Sequence, residues 1–185
     1  MTAVVSQVDP SSSSTESLSP DHFKAIFRQH PAGVAVVTLQ HGDRLVGFTA
    51  TSVISVSAEP PVLAFSVAVG SGCWVPLTQT DTIVVNFLSA GQVEESARFA
   101  TRGIDRFGCG GWSLLDTGEP VLDDTPRWIR AEIVERIPIG SSHLVCVRAL
   151  SSSEDHRAVS TAAGDVPPLV YHDRAYHRLS TVSAL

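Results

Sequence analysis

Val34-Ala35-Val36-Val37-Thr38-Leu39, followed by His41-Gly42-Asp43 and then by Leu45-Val46-Gly47-Phe48-Thr49-Ala50-Thr51-Ser52, is the stretch whose reading decides the fold. Its first limb is a β-branched run, its middle holds turn residues and its second limb alternates, which predicts an antiparallel hairpin. Strand residues two apart share a face, so Gly47, Thr49 and Thr51 would line one side while Val46, Phe48 and Ala50 pack on the other. One face of this strand is therefore small and polar. Glycine admits a ligand close to the backbone, and short hydroxyls bond to a flat polar ring or an anion, so the face suits a bound cofactor. A Thr-rich edge strand facing water is the alternative that this segment alone leaves open.

Upstream, Ser19 reads as an N-cap with Pro20 at the first helical position. Phe23, Ile26 and Phe27 then fall at i, i+3, i+4, which predicts a short amphipathic helix to about Gln29, stopped by Pro31 and Gly33. Downstream, Val53 to Ser57 stays extended, Glu59-Pro60-Pro61 breaks it, and Val62 to Val69 is a further strand. Gly70-Ser71-Gly72-Cys73 makes a flexible loop before a helical turn near Trp74. Ile83 to Leu88 reads as a buried strand. Ser89 and Gln92 stand at capping-box spacing, so a helix is expected to begin there, to carry Val93, Ala97 and Phe99 toward the core, and to end near Thr101. Residues 102 to 126 are rich in Gly, Asp and Pro and read as an irregular surface excursion. Arg127 to Ile137 and His143 to Ser151 form a meander. Pro168 to His172, a turn at Asp173-Arg174, and Ala175 to Leu179 form a last hairpin. Six to eight strands joined largely by hairpins, with two or three short helices, predict a mainly β chain folded as an antiparallel barrel. No G-x-G-x-x-G follows the first strand, which argues against a dinucleotide-binding doubly wound sheet.

The composition sets limits. With 185 residues the chain is long enough for one domain with a real core and too short for two. Residues 1–18 are Ser-rich and expected to be a disordered tail, residues 19–180 the domain, and residues 181–185 a C-terminal tail. Hydrophobic residues are 43% and charged residues 17%, a globular balance. A net charge of −6 with 13 scattered Lys and Arg gives no footprint for nucleic acid. No apolar run approaches a membrane span and Met1 to Pro20 has no signal-peptide pattern, so the expected address is cytoplasmic. Cys73, Cys109 and Cys146 form no C-x-x-C pair and read as reduced thiols. The seven histidines show no metal-ligand spacing, and no metal is expected.

Taken together, several markers resemble the flavin reductase family, the small partner of two-component flavin-dependent monooxygenases. They are Phe27 to Thr38, Val46 to Ser52, Ser55-Val56-Ser57 with Glu59-Pro60-Pro61, Trp74, Val85 to Leu88, Ala97-Arg98-Phe99-Ala100, Asp105-Arg106-Phe107 and Pro168 to Tyr171. They keep family order over roughly residues 20 to 180. The resemblance implies a Greek-key, FMN-binding split β-barrel. It implies that Val46, Gly47, Phe48 and Thr49, with Thr51 and Ser52, hold the isoalloxazine and ribityl chain of FMN or FAD. Ser66, Val67, Gly72 and Cys73 would line the ribityl and phosphate end, and Arg98 with Phe99 would complete the site. Without the resemblance, Arg98 reads as part of a solvated helix face. His143, in Gly140-Ser141-Ser142-His143, would lie near the nicotinamide of NADH or NADPH, with Leu169, Val170, Tyr171 and His172 as the other wall. Unaided, His143 is a strand-end histidine with no task. The loop before His143 carries one residue more than the family pattern, and Cys73 stands where relatives often have a hydroxyl. The implied reaction is hydride transfer from nicotinamide C4 to flavin N5, and the implied assembly is a homodimer that hands reduced flavin to a partner monooxygenase. A flavin-binding or electron-transfer protein without reductase activity would share the same barrel and is the competing class.

Overall fold

The computed structural model describes residues 17–155 and 166–180; most of the expected N-terminal tail and residues 181–185 lie outside the described residues. α1 (Pro20–Arg28) opens on Ser19, whose Oγ accepts from the His22 N–H at 3.3 Å. After β1 (Ala32–Gly33) the expected hairpin forms from β2 (Ala35–His41) and β3 (Arg44–Ala50). Gly42 turns it with φ 58°, a left-handed conformation that glycine adopts without a steric cost. Then follow β4 (Ile54–Ala58), β5 (Pro61–Ala68), α2 (Trp74–Thr78), β6 (Thr82–Phe87), α3 (Val93–Ala100), β7 (Trp112–Leu114) and β8 (Pro120–Leu122). β9 (Arg127–Ile139), β10 (Ser142–Ser152), β11 (Leu169–His172) and β12 (Ala175–Arg178) complete the described chain.

Seven strands form one antiparallel sheet in the order β3-β2-β6-β9-β10-β5-β4. Its two edge strands, β3 and β4, are consecutive in the chain, and Ser52 between them accepts from the Ser66 N–H of β5 at 2.9 Å, so the sheet rolls up on itself. The result is a mainly β split barrel. Ala35, Val37 and Leu39 of β2 face the interior with Phe65, Leu77, Ile83, Val85, Val145 and Val147, all buried. Val34 and Val36 face the other way, into a second cluster with Leu88, Phe99, Phe107, Leu122 and Leu169. β2 is thus apolar on both faces, which is why its sequence reads as a continuous run rather than an alternation.

The structure has twelve strands among the described residues, more than the six to eight expected: the last hairpin forms as β11 and β12, and the strands not read from the sequence are β1, β7 and β8, only two or three residues long. Such short pairings leave no periodicity to read. β7 and β8 fall inside residues 102 to 126, which are not a loose surface excursion. A buried polar cluster anchors them: Asn86 donates from Nδ2 to Val36 O at 3.0 Å and to Thr38 Oγ1 at 3.1 Å, and its Oδ1 accepts from the Leu122 N–H at 3.0 Å. The Thr38 hydroxyl donates to Pro120 O. Glu119, 3% exposed, bonds to Arg130 of β9 at 2.9 Å.

α3 begins at Val93 rather than at Ser89. Gln92 does reach back, its Oε1 accepting from the Ser89 N–H at 3.0 Å, but it sits at the helix N-cap itself, and its Nε2 donates to Asp123 O and Thr125 Oγ1. Val93 and Ala97 are exposed; the buried face is Gln92, Ser96 and Phe99. Small Ser96 allows α3 to lie close on β3.

Candidate functional site

The approach of α3 to β3 builds one side of a cleft of about 1040 Å³. The Phe99 ring fills the space over Gly47: a Cβ there would come within 2.6 and 2.8 Å of its Cε1 and Cδ1. Phe99 by itself gives a packing reason for glycine at this position. Thr49 likewise turns inward, its hydroxyl donating to Ser96 O at 2.6 Å. Thr51 lies past the end of β3 and is exposed, so the three-residue polar face expected from the sequence ends at Thr49. Ser52 is spent on the β3–β5 seam.

Of the residues named from the sequence, Val46, Gly47, Phe48 and Thr49 line the cleft. So do Ser66, Val67, Gly72, Cys73 and Phe99. Thr51, Ser52, Arg98, His143, Leu169, Val170, Tyr171 and His172 do not. Arg98 turns toward residues 109–111: its Nη1 lies 2.6 Å from Cys109 Sγ, and Nε and Nη2 are buried without a partner. Cys73 is buried with its thiol aimed at Gly47 O at 3.8 Å, so it faces the protein rather than the cleft opening.

The cations at the cleft are others. Arg44 follows the β2–β3 turn, Arg102 follows α3, and both are exposed on the cleft. Arg106 also lines it, but as a clamp: Nη1 donates to Gly47 O at 2.9 Å, while Nε and Nη2 donate to Thr101 O at 3.0 and 2.6 Å. It ties the segment after α3 back onto β3. Asp105 stabilises the same segment by accepting from the Phe107 N–H at 3.0 Å. Asp105-Arg106-Phe107 is one of the family markers in the sequence, yet nothing local to it marks Arg106 as a clamp. Arg44, Arg102 and Ile104 carried no signal beyond their residue type, because they are brought together by the turn of one hairpin and the end of a helix far away in sequence.

Two walls of different chemistry result. Val46, Val75 and Pro76, backed by buried Val67 and Phe99, offer an apolar surface for a planar ring. Gly70-Ser71-Gly72 offers open backbone, with nothing within 4 Å of a Cβ built at Gly70 or Gly72. With Arg44 and Arg102 nearby, this end fits an anion. The lining therefore fits a flavin: the apolar wall could take a planar ring, and the glycine end with the two arginines could take an anion. Among the described residues no cluster of His, Cys, Asp and Glu could hold a metal ion, and no helix is long and apolar enough to cross a membrane.

His143 stands apart from this cleft. It pairs with Val67 of β5 in the ladder, and its ring stacks on Trp74 with centroids 3.6 Å apart and planes 13° apart. Its Nδ1 is buried without a partner. Leu169 and Tyr171 belong to the other cluster, beyond β2.

Residues 27–180 match the family model of the flavin reductase like domain. The chain is 40% identical over 159 residues to the NADH:FMN oxidoreductase of Rhodococcus qingshengii, covering 84% of this chain and 80% of that protein. It is 28% identical to HsaB of Mycobacterium tuberculosis, the reductase subunit of a flavin-dependent monooxygenase, covering 77% of this chain and 75% of that one. The crystal structure of a flavin reductase domain protein from Arthrobacter sp. FB24 superposes with a TM-score of 0.77 at 33% identity, covering 88% of this chain and 96% of the other. The split barrel, the cleft under α3 and the match over residues 27–180 place this chain in the flavin reductase family.

Proposed function

We propose that this protein is an NAD(P)H-dependent flavin reductase that binds FMN or FAD in the cleft between β3, the Gly70–Gly72 loop and the segment after α3. The observation that carries the reading is the pairing, in one cleft of about 1040 Å³, of an apolar wall with an open glycine loop and two exposed arginines. A bound flavin supplies the redox chemistry, taking two electrons and a proton as hydride from reduced nicotinamide. The chain's own residues bind and orient. Val46 and Phe48 with Val67 and Phe99 support the ring, and Arg44 and Arg102 attract the phosphate. Thr49 and Gly47 shape the wall through their contacts with α3. Thr51, exposed past the end of β3, and Ser52, bonded to Ser66 of the cleft lining, are the remaining proposed flavin contacts of this segment. No acid, base or nucleophile is needed, which fits a cleft whose polar groups are mostly held by other protein groups.

His143 and Leu169 to His172 are the proposed nicotinamide contacts. Within one chain they lie on opposite sides of β2, so we propose that a second copy completes that pocket in a homodimer. Large apolar side chains stand uncovered on α1, with Phe23, Ile26 and Phe27 51%, 54% and 56% exposed, and on β4, with Ile54 and Val56. Exposed apolar patches of this kind favour association. A partner monooxygenase would receive the reduced flavin, and the free thiols of Cys73, Cys109 and Cys146 fit a cytoplasmic setting.

Steady-state NADH oxidation with FMN, FAD and riboflavin added separately tests the reading. Flavin-dependent turnover that favours the phosphorylated forms is expected. Flavin binding without NADH oxidation would instead support a non-catalytic flavin-binding protein. Light scattering after size exclusion tests the dimer, and Phe27→Ser is expected to shift it toward monomer.

A further inference from the structure

We propose that Trp74 is the positioning residue for His143, and that α2 is the physical link between the flavin cleft and the nicotinamide site. The inference rests on the reading of His143 as a nicotinamide contact. A functional histidine ring is ordinarily oriented by a hydrogen bond from the nitrogen it does not use. His143 has no such bond on Nδ1, which is buried without a partner. What fixes its ring is the nearly parallel indole of Trp74, 3.6 Å away and inclined by 13°.

α2 is built to hold that indole still. Its first turn closes through Leu77 N–H to Cys73 O at 3.1 Å, and buried Leu77 anchors it in the barrel interior. Its far end is gripped by Arg136 of β9, which donates to Leu77 O at 2.9 Å and to Thr80 O at 2.7 Å. Val75 and Pro76 line the flavin cleft, while Trp74, just before them in sequence, packs on His143. One short helix therefore touches both sites on different faces. A ligand that presses on Val75 and Pro76 bears on the same turn that orients the imidazole.

The test uses full-length Trp74→Leu, which keeps apolar volume but has no ring face, and Trp74→Phe, which restores one. Trp74→Met replaces the leucine variant should that one fail to fold. Three readouts are taken: flavin Kd by fluorescence quenching, NAD+ affinity of the flavin-loaded protein by calorimetry, and kcat and KM for NADH. His143 ring proton shifts are recorded as well, since a stacked indole moves them upfield.

The expected result is loss of that upfield shift in Trp74→Leu, with NAD+ affinity and kcat/KM for NADH down about three- to tenfold, the range of an aromatic pair. Flavin Kd should stay within about twofold and Trp74→Phe should recover most of the loss. Adding Trp74→Leu to His143→Ala should cost nothing more, because Trp74 acts only through that ring. Additive losses, or a loss confined to flavin Kd, would overturn the positioning role. If His143→Ala alone leaves NAD+ affinity and NADH oxidation intact, the assignment of His143 itself fails, and the inference falls with it. If His143→Ala is impaired and Trp74→Leu is not, the inference alone fails.

Discussion

Replacing Gly47 by alanine separates two explanations of the same residue. The sequence suggests glycine so that a ligand can come close, and predicts lost flavin affinity in a stable protein. The structure gives a different reason, for a Cβ at Gly47 would lie 2.6 Å from Phe99 Cε1, 2.8 Å from Cδ1 and 3.2 Å from Val37 O. Gly47 is not among the glycines with positive φ, so alanine meets no backbone obstacle and the whole cost is steric. Ordinary contact begins at 3.4 Å, so the ring must retreat by about 0.8 Å. It has little room to do so, being fully buried and set edge-on against Phe107 at 5.1 Å. Overpacking of this kind costs about 1–3 kcal/mol. The stiffer unfolded chain offsets about 0.4–1 kcal/mol of that. A net loss of about 1–2 kcal/mol lowers the melting temperature by roughly 2–8 °C for a chain of this size. Urea titration of flavin-free protein at fixed concentration measures it. Phe99→Leu in the same chain makes space, so the double variant should be more stable than the two single losses predict, by about 1 kcal/mol. An unchanged urea midpoint together with weakened flavin binding would refute the packing argument and restore the ligand-approach reading.

Other expectations are as direct. Burial of Glu119 works against its charge, yet hydrogen bonds from Arg130, Thr117, Thr82 and its own N–H hold its carboxyl below the usual 4.5. A depressed folded value means that this stabilisation is complete above about pH 4.5 and is lost as pH falls through the folded pKa. Glu119→Gln should therefore flatten the acid limb of the stability–pH curve and cost up to about 3 kcal/mol at neutral pH by leaving Arg130 unpaired; an unaltered acid limb would contradict it. Thr51→Val, at an exposed position past β3, should leave stability within about 0.5 kcal/mol of the parent, so any change in flavin Kd reads a ligand contact directly. Arg106→Lys should raise flavin Kd several-fold, because a lysine cannot bond Gly47 O and Thr101 O together. Equal flavin affinity in that variant would free the 101–107 segment from any part in the cleft.

The long elements were legible because pattern and propensity agreed. Val34 to Leu39 is β-branched throughout, Gly42 supplies the turn, and the two limbs pair in register from Ala35↔Ala50 to His41↔Arg44. Ser19-Pro20 marked the helix start for a local reason, and local reasons survive folding. The cleft was legible only in part. Gly47 and Thr49 were singled out by strand alternation, which put Val46 and Phe48 on the opposite face; Val46, Phe48 and Phe99 were named by the family resemblance. Arg98 and Phe99 are adjacent in sequence yet diverge by about a hundred degrees around the helix. Phe99 enters the cleft, and Arg98 turns to Cys109. Arg44 and Arg102 went unnoticed since nothing local marks a residue whose neighbour is supplied by tertiary folding. The two-residue β1 and the three-residue β7 and β8 are held by partners elsewhere, not by their own periodicity.

Thr38 shows how a residue far from the cleft can govern it. It is fully buried in β2, where alternation alone would ask for carbon, and its hydroxyl donates to Pro120 O while accepting from Asn86 Nδ2 at 3.1 Å. Asn86 in turn accepts from the Leu122 N–H. These bonds fasten β8 to the barrel. β8 pairs with β7, and Trp112 of β7 donates from Nε1 to Phe107 O at 2.8 Å, so the chain of contacts ends at the segment carrying Arg102, Asp105 and Arg106. Thr38→Val keeps the shape and removes the hydroxyl, leaving Pro120 O without its donor. The cost of an orphaned buried acceptor is about 1–3 kcal/mol. If the hydroxyl is a latch, that cost falls on the 102–126 segment: hydrogen exchange at Leu122 should accelerate about tenfold or more while β6 and β9 amides change little, and flavin should bind more weakly. An equal acceleration in β6 and β9 would mean that Thr38 supports the barrel as a whole. The cleft wall would then owe its position to Gln92 and Arg106 alone.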